Sequence, residues 1–147
     1  MAETWFARTV NESDALTIAR HRYDGVLGEP AAVYDRWVAL AIAHGTYIGW
    51  LAEACGEVVG GAGLVLLDWG PTRRDPNPVR GRIANVYTEP SWRHRGVARA
   101  LVGQCINEAE TRGIGVIGLS TTSAARTLYA QLGFRASKSE MVKELRQ

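Results

Sequence analysis

At 147 residues, 46% of them hydrophobic and 22% charged, the chain has the make-up of a soluble globular protein, and its length suits one domain over residues 1–147. A net charge of +2 is too small to imply nucleic-acid binding by itself, although Arg73, Arg74, Arg80, Arg82, Arg93, Arg95 and Arg99 make the middle of the chain locally basic. No apolar run is long enough to span a bilayer, and "MAETWFARTVNESD" lacks the basic-then-apolar pattern of a signal peptide, so the expectation is a cytoplasmic protein without membrane contact.

The first predicted element is a short strand in "TWFARTV", followed by Ser13 and Asp14 as candidate N-caps for a helix ending near His21 or Tyr23, before Gly25. Glu29 and Pro30 open a second helix whose apolar face reads Val33, Trp37, Leu40, Ala41. "TYIGWLAEA" and "VVGGAGLVLLDW", joined at "CGE", form a hairpin pattern. "GPTRRDPNPVRG" must be an exposed loop. "RIANVYT" is the next strand, stopped by Glu89–Pro90.

From Ala98 onward, Leu101, Val102, Cys105, Ile106 and Ala109 continue one helical face to about Gly113. Cys105 lies on that face, so it reads as a reduced core thiol and not as a disulfide partner of Cys55. "GVIGLST" is a short buried strand, and "SAARTLYAQLGF" a helix capped by Ser123 and closed by Gly133. A last strand is expected around Glu140–Leu145. The order β-α-α-β-β-β-α-β-α-β implies a mixed sheet with helices packed on it.

The basic helix start poses a physical problem. Arg93, His94, Arg95 and Arg99 crowd the positive pole of the helix dipole, where acids are expected. A polyanion resolves it: helix N-termini present unpaired N–H groups that bind phosphate, Gly96 permits close backbone approach, and Ala98 keeps the next turn small. Arg93-x-x-Gly96-x-Ala98 after a strand therefore reads as a pyrophosphate cradle, against the plain alternative of a solvated basic helix start.

"NVYTEPSWRHRGVARALV" with "TSAARTLYAQLGF" downstream resembles the GNAT superfamily of acyl-CoA-dependent N-acetyltransferases, specifically over about residues 82–135. The resemblance implies an α/β (α+β) fold, with a mostly antiparallel central sheet of about six to seven strands, flanking helices and a splayed strand pair that admits acetyl-CoA. It implies backbone partners for the pantetheine arm at Val86 and Thr88, with Tyr87 between them. The pyrophosphate would lie on the N–H groups of His94, Arg95, Gly96, Val97 and Ala98, with Arg93, Arg95 or Arg99 near the phosphates. Tyr129 matches the tyrosine that protonates the departing thiolate. Where many members carry an asparagine this chain has Thr122, with Ser123 or Arg126 able to assist.

The resemblance puts the acceptor side at "HRYDGVLGEP", Trp37 and the "RRDPNPVRG" loop, where Tyr23, Asp24, Glu29 and Asp35 are candidates, with Asn85 on the strand opposite. The strand that holds a glutamate base in some members has none here, which leaves Glu53, Asp68, Glu89 or a water relay. The histidines and cysteines show no metal-ligand spacing, so no metal is expected. A homodimer is left open.

There is no G-x-S-x-G elbow, no P-loop Lys-Ser/Thr, and "GGAG" lies inside a strand pattern, which disfavours a hydrolase, a kinase and a dinucleotide site. A catalytically idle acyl-CoA-binding module is the competing reading. A nucleic-acid binder is disfavoured because no row of stacking aromatics interleaves the basic residues.

Overall fold

A computed structural model describes residues 4–146. Its core is a five-stranded sheet in sequential order, formed by β1 (Phe6–Thr9), β2 (Tyr47–Ala54), β3 (Glu57–Asp68), β4 (Val79–Thr88) and β5 (Ile117–Gly118). The first four strands pair antiparallel, and β4 pairs with β5 in parallel. The helices are α1 (Ala15–Arg22), α2 (Glu29–His44), α3 (Val97–Thr111) and α4 (Arg126–Gln131). Among the described residues, no helix is long and apolar enough to cross a membrane.

Local chemistry sets most of the boundaries. Cys55 and Gly56 both take positive φ, +52° and +78°, which gives β2–β3 the turn whose twist matches a right-handed hairpin. Gly45 ends α2 in the left-handed region. The end of α4 is a full Schellman motif, in which Phe134 N–H donates to Tyr129 O, Gly133 N–H donates to Ala130 O, and Gly133 sits at φ +96°. The Arg8 guanidinium reaches Asp14 and Glu53, each at 2.8 Å, and so ties β1 to the entry of α1 and to β2.

The sheet is covered on both faces. One core joins Leu64 and Ile83 to Val97, Leu101, Val102, Cys105 and Ala109 of α3, together with Tyr129. A smaller one joins Ala15, Ile18, Val38 and Ala41 of α1 and α2 to Tyr47. Cys105 is fully buried and free, and desolvation pushes its thiol up to about 12, so it stays protonated.

Five expectations are corrected. The sheet has five strands where six to seven were expected, and residues 140–145 form none, because that segment lies exposed with no ladder partner. The buried face of α2 is Ala31, Val38 and Ala41, while Val33, Trp37 and Leu40 are exposed. A one-residue rotation selects the stripe whose alanines let the helix approach its neighbours. β4 begins at Val79, three residues before Arg82, because its first half pairs with Leu66–Asp68 of the long β3. The turn before α4 is capped by the Thr122 hydroxyl, which accepts the Ala125 N–H at 3.3 Å, and not by Ser123.

Candidate active site

The site begins with a break in alternation on β4. Val79 and Ile83 pack toward the α3 side of the sheet, as odd-numbered residues of a regular strand should. Between Ala84 and Tyr87 the register against β3 shifts by one residue, and Asn85 sits at φ +58°. This bulge inverts the parity: Val86 now packs toward α3, while Asn85 and Tyr87 turn toward α1 and α2. Asparagine is among the few non-glycine residues that accept the left-handed region, which accounts for its presence there.

Past Arg82, on the approach to the bulge, β4 and β5 part. Only Gly81–Ile117 and Arg82–Gly118 are paired, and the chains then separate around a cavity of about 500 Å³. The C-terminal end of α1 (His21, Arg22, Tyr23, Asp24), the bulged half of β4 (83–87), residues 119–122, Ala125 and Tyr129 form its walls.

A polar network braces the α1 side. Asn85 Nδ2 donates to the hydroxyls of Tyr34 at 2.9 Å and Tyr47 at 3.0 Å, and Asn85 Oδ1 accepts from Arg22 Nη1 at 3.1 Å. The Arg22 guanidinium also lies over the Tyr34 ring, 4.4 Å from its centroid. Glycines make room for this convergence. A Cβ at Gly63 would collide with the Tyr47 hydroxyl, and one at Gly61 would lie 2.9 Å from His21 Nδ1. The "GGAG" stretch is thus a close-approach surface within β3.

His21 stacks on Tyr87 with ring centroids 4.6 Å apart. Burial lowers its pKa from the ordinary 6.5 to about 4, so the imidazole is neutral at pH 7. The unfolded chain binds this proton more readily, so the associated stability is complete above pH 6.5 and is lost as pH falls toward 4. Between pH 7 and 4.5 the native protein should lose about 2–3 kcal/mol more than His21→Gln in denaturant titrations. Equal losses would remove His21 from the acid response. The Asp14 carboxyl, held below its usual value of 3.8 by Arg8, responds only at lower pH.

On the opposite wall Tyr129 is buried, with its ring edge-on to Phe134. Desolvation, and then the nearby Cys105 thiol, raise its pKa, so the phenol holds its proton through neutral pH.

A 3-10 turn at Pro90–Trp92 and residues 93–96 carry the chain from the end of β4 to the start of α3. Gly96 is its N-cap at φ +82°, without side-chain capping and without acids in the first turn. The first backbone bond back along the helix is Ala100 N–H to Gly96 O, so the N–H groups of residues 97–99 have no acceptor within the helix. A Cβ at Gly96 meets nothing within 4 Å, so the space above these donors is open. That combination fits a phosphate group.

Of the residues named from sequence, Tyr23, Asp24, Asn85, Val86, Tyr87, Thr122 and Tyr129 share the cavity. Thr88, Arg93, His94, Gly96, Ala98, Arg99, Ser123 and Arg126 lie outside its lining, as does Val97, whose side chain is buried in the core. Arg93 donates to Thr88 O at 3.2 Å, Arg95 lies over Trp92, and Arg99 donates to Gln131.

The model of the acetyltransferase (GNAT) family matches residues 14–134. The chain belongs to the GNAT family. Among solved structures, a GCN5-related N-acetyltransferase from Ralstonia eutropha JMP134 is 30% identical, with a TM-score of 0.85 over 97% of this chain and 99% of that one. A "predicted acetyltransferase with acetyl-CoA" from Clostridium acetobutylicum is 23% identical, with a TM-score of 0.89 over 97% of both chains, a likeness of fold. A glucosamine 6-phosphate N-acetyltransferase of Trypanosoma brucei brucei is 28% identical over 89 residues, 60% of this chain and 58% of that protein. An uncharacterized protein of Mycobacterium leprae (strain TN) is 30% identical over 112 residues, 76% of this chain but 28% of that protein.

Within this GNAT fold, the acids offered as bases lie away from the cavity lining. Glu53 is paired with Arg8, and neither Asp68 nor Glu89 lines the cavity. His21 and Arg22 fall in the segment 21–30 that sequence reasoning gave to the acceptor side, but it assigned neither of them a role, and it did not foresee Tyr47 behind them. The glycine pair opposite them, Gly61 and Gly63, was the available signal.

Proposed function

We propose that the protein moves an acetyl group from acetyl-CoA to a primary amine of a small molecule or protein, by direct attack in a ternary complex. The observation that carries this reading is the splayed β4–β5 pair, with Tyr129 on one wall and the open, acid-free start of α3 beyond the end of the same strand. In this reading the pantetheine arm lies along the freed edge of β4 near Val86 and Tyr87, as an added strand would. The pyrophosphate rests on the N–H groups at the α3 start, with Arg93, Arg95 and Arg99 around it.

The amine nitrogen forms the C–N bond at the thioester carbonyl, the C–S bond breaks, and the thiolate takes a proton from the Tyr129 phenol. The proton lost by the nitrogen passes to water, water returns a proton to the Tyr129 phenolate, and the products are an amide and the CoA thiol.

Calorimetric titration with acetyl-CoA, CoA and ADP tests the reading. Saturable acetyl-CoA binding clearly tighter than ADP, followed by amine-dependent thiol release, is the expected result. Binding without release for any amine indicates an idle acyl-CoA-binding module. Absence of binding at millimolar acetyl-CoA overturns both.

A further inference from the structure

The α1 wall of the cavity carries two opposite charges, Arg22 and Asp24, two residues apart. No ion pair within 4 Å joins them to each other, nor either of them to another described residue. Arg22 is nevertheless not a loose surface side chain. One guanidinium nitrogen is spent on Asn85 Oδ1, the plane lies over Tyr34, and Asn85 is itself locked by two tyrosine hydroxyls and by the β4 bulge. This brace fixes the guanidinium at the cavity wall with its other N–H groups uncommitted to any carboxylate, and a fork held this way suits carboxylate or phosphate oxygens.

Within the acetyltransferase reading, on which this rests, we infer that the acceptor is an amine that also bears an anionic group, a carboxylate or a phosphate, held by Arg22. The Asp24 carboxylate, on the same wall, suits the acceptor's ammonium as it arrives, so that the two wall charges complement a zwitterion. The remaining lining on this side is aromatic or neutral, from Tyr23, Asn85, Tyr87 and the uncharged His21. Arg22 is therefore the cation that an acceptor's anion meets on this wall.

The test is thiol release with matched amines: an α-amino acid against its primary amide, an ω-amino acid against the corresponding alkylamine, and an amino-sugar phosphate against the amino sugar. The anionic member of at least one pair should show a kcat/KM tenfold or more above its neutral counterpart, and the pair that does so tells carboxylate from phosphate. Arg22→Gln should collapse that ratio at least tenfold, mainly through KM, with the Kd for acetyl-CoA unchanged. Arg22→Lys, which keeps the charge without the fork, should fall between the two.

Anionic amines turned over no faster than their neutral counterparts, whether both react or neither does, overturn the inference. So does a ratio that Arg22→Gln leaves intact, since Arg22 would then serve only to brace Asn85. Loss of the acetyltransferase reading itself registers separately, as failure of the native protein to bind acetyl-CoA.

Discussion

Gly96→Glu should raise the Kd for acetyl-CoA at least about a hundredfold, equivalent to roughly 2.8 kcal/mol, while leaving the protein folded. The new carboxylate would stand over the unpaired N–H groups of residues 97–99, occupying the position where the pyrophosphate is proposed to lie and repelling it. Folding should survive because a Cβ at this position meets no atom within 4 Å. The backbone sets a second cost: at φ +82° any side chain is strained, by roughly 1–2 kcal/mol.

Gly96→Ala separates the two effects. It carries the same strain without the charge and should weaken acetyl-CoA binding only about threefold. Calorimetry on both variants, with melting temperatures alongside, reads the difference. If Gly96→Glu binds within threefold of native, the cradle lies elsewhere. If alanine weakens binding as much as glutamate, helix-start geometry and not charge is what the cofactor senses.

The start of α3 was legible because its signals are local. A glycine and small residues follow a strand-stopping Glu89–Pro90, and cations stand where a helix start should have acids; these need no knowledge of the rest of the chain. The helix observed at Val97–Thr111 and its buried Leu101, Val102, Cys105 and Ala109 follow from the same stretch. The α2 face was not legible for a related reason. Val33, Trp37 and Leu40 and their neighbours Tyr34, Val38 and Ala41 are both apolar stripes of helical period, and periodicity does not say which one the sheet will cover.

The α1 wall was legible only as a segment, residues 21–30, without its contacts. His21 fits against β3 because Gly61, 40 residues further along the chain, has no side chain to obstruct it, as Gly63 has none to obstruct Tyr47. A glycine's absence of bulk says nothing in one dimension about which side chain will use the space. The splayed strand pair was expected only through family resemblance, and the bulge at Asn85 beside it was not placed. Its physical cause, an asparagine at positive φ anchored by two tyrosines from α2 and β2, depends on contacts that sequence spacing does not encode.

Tyr129→Phe should lower kcat at least about tenfold, at the cautious end of what loss of a general acid costs, with acetyl-CoA affinity within about threefold of native. The argument starts from what the substitution keeps. The Tyr129 ring is buried between the α3 core and Phe134, and phenylalanine preserves that packing, so stability should change little. What it removes is a hydroxyl whose proton burial and Cys105 hold more tightly than in water, so the native group enters each turnover protonated. Without it the thiolate must leave unprotonated or take its proton from solvent. The effect should therefore appear in kcat under saturating amine and acetyl-CoA, and in single-turnover thiol release, and not in binding. Reduced turnover with weakened acetyl-CoA binding would assign Tyr129 to holding the cofactor. Unchanged single-turnover rates would remove it from the mechanism and leave Phe134 and Tyr129 as a packed pair on the cavity wall.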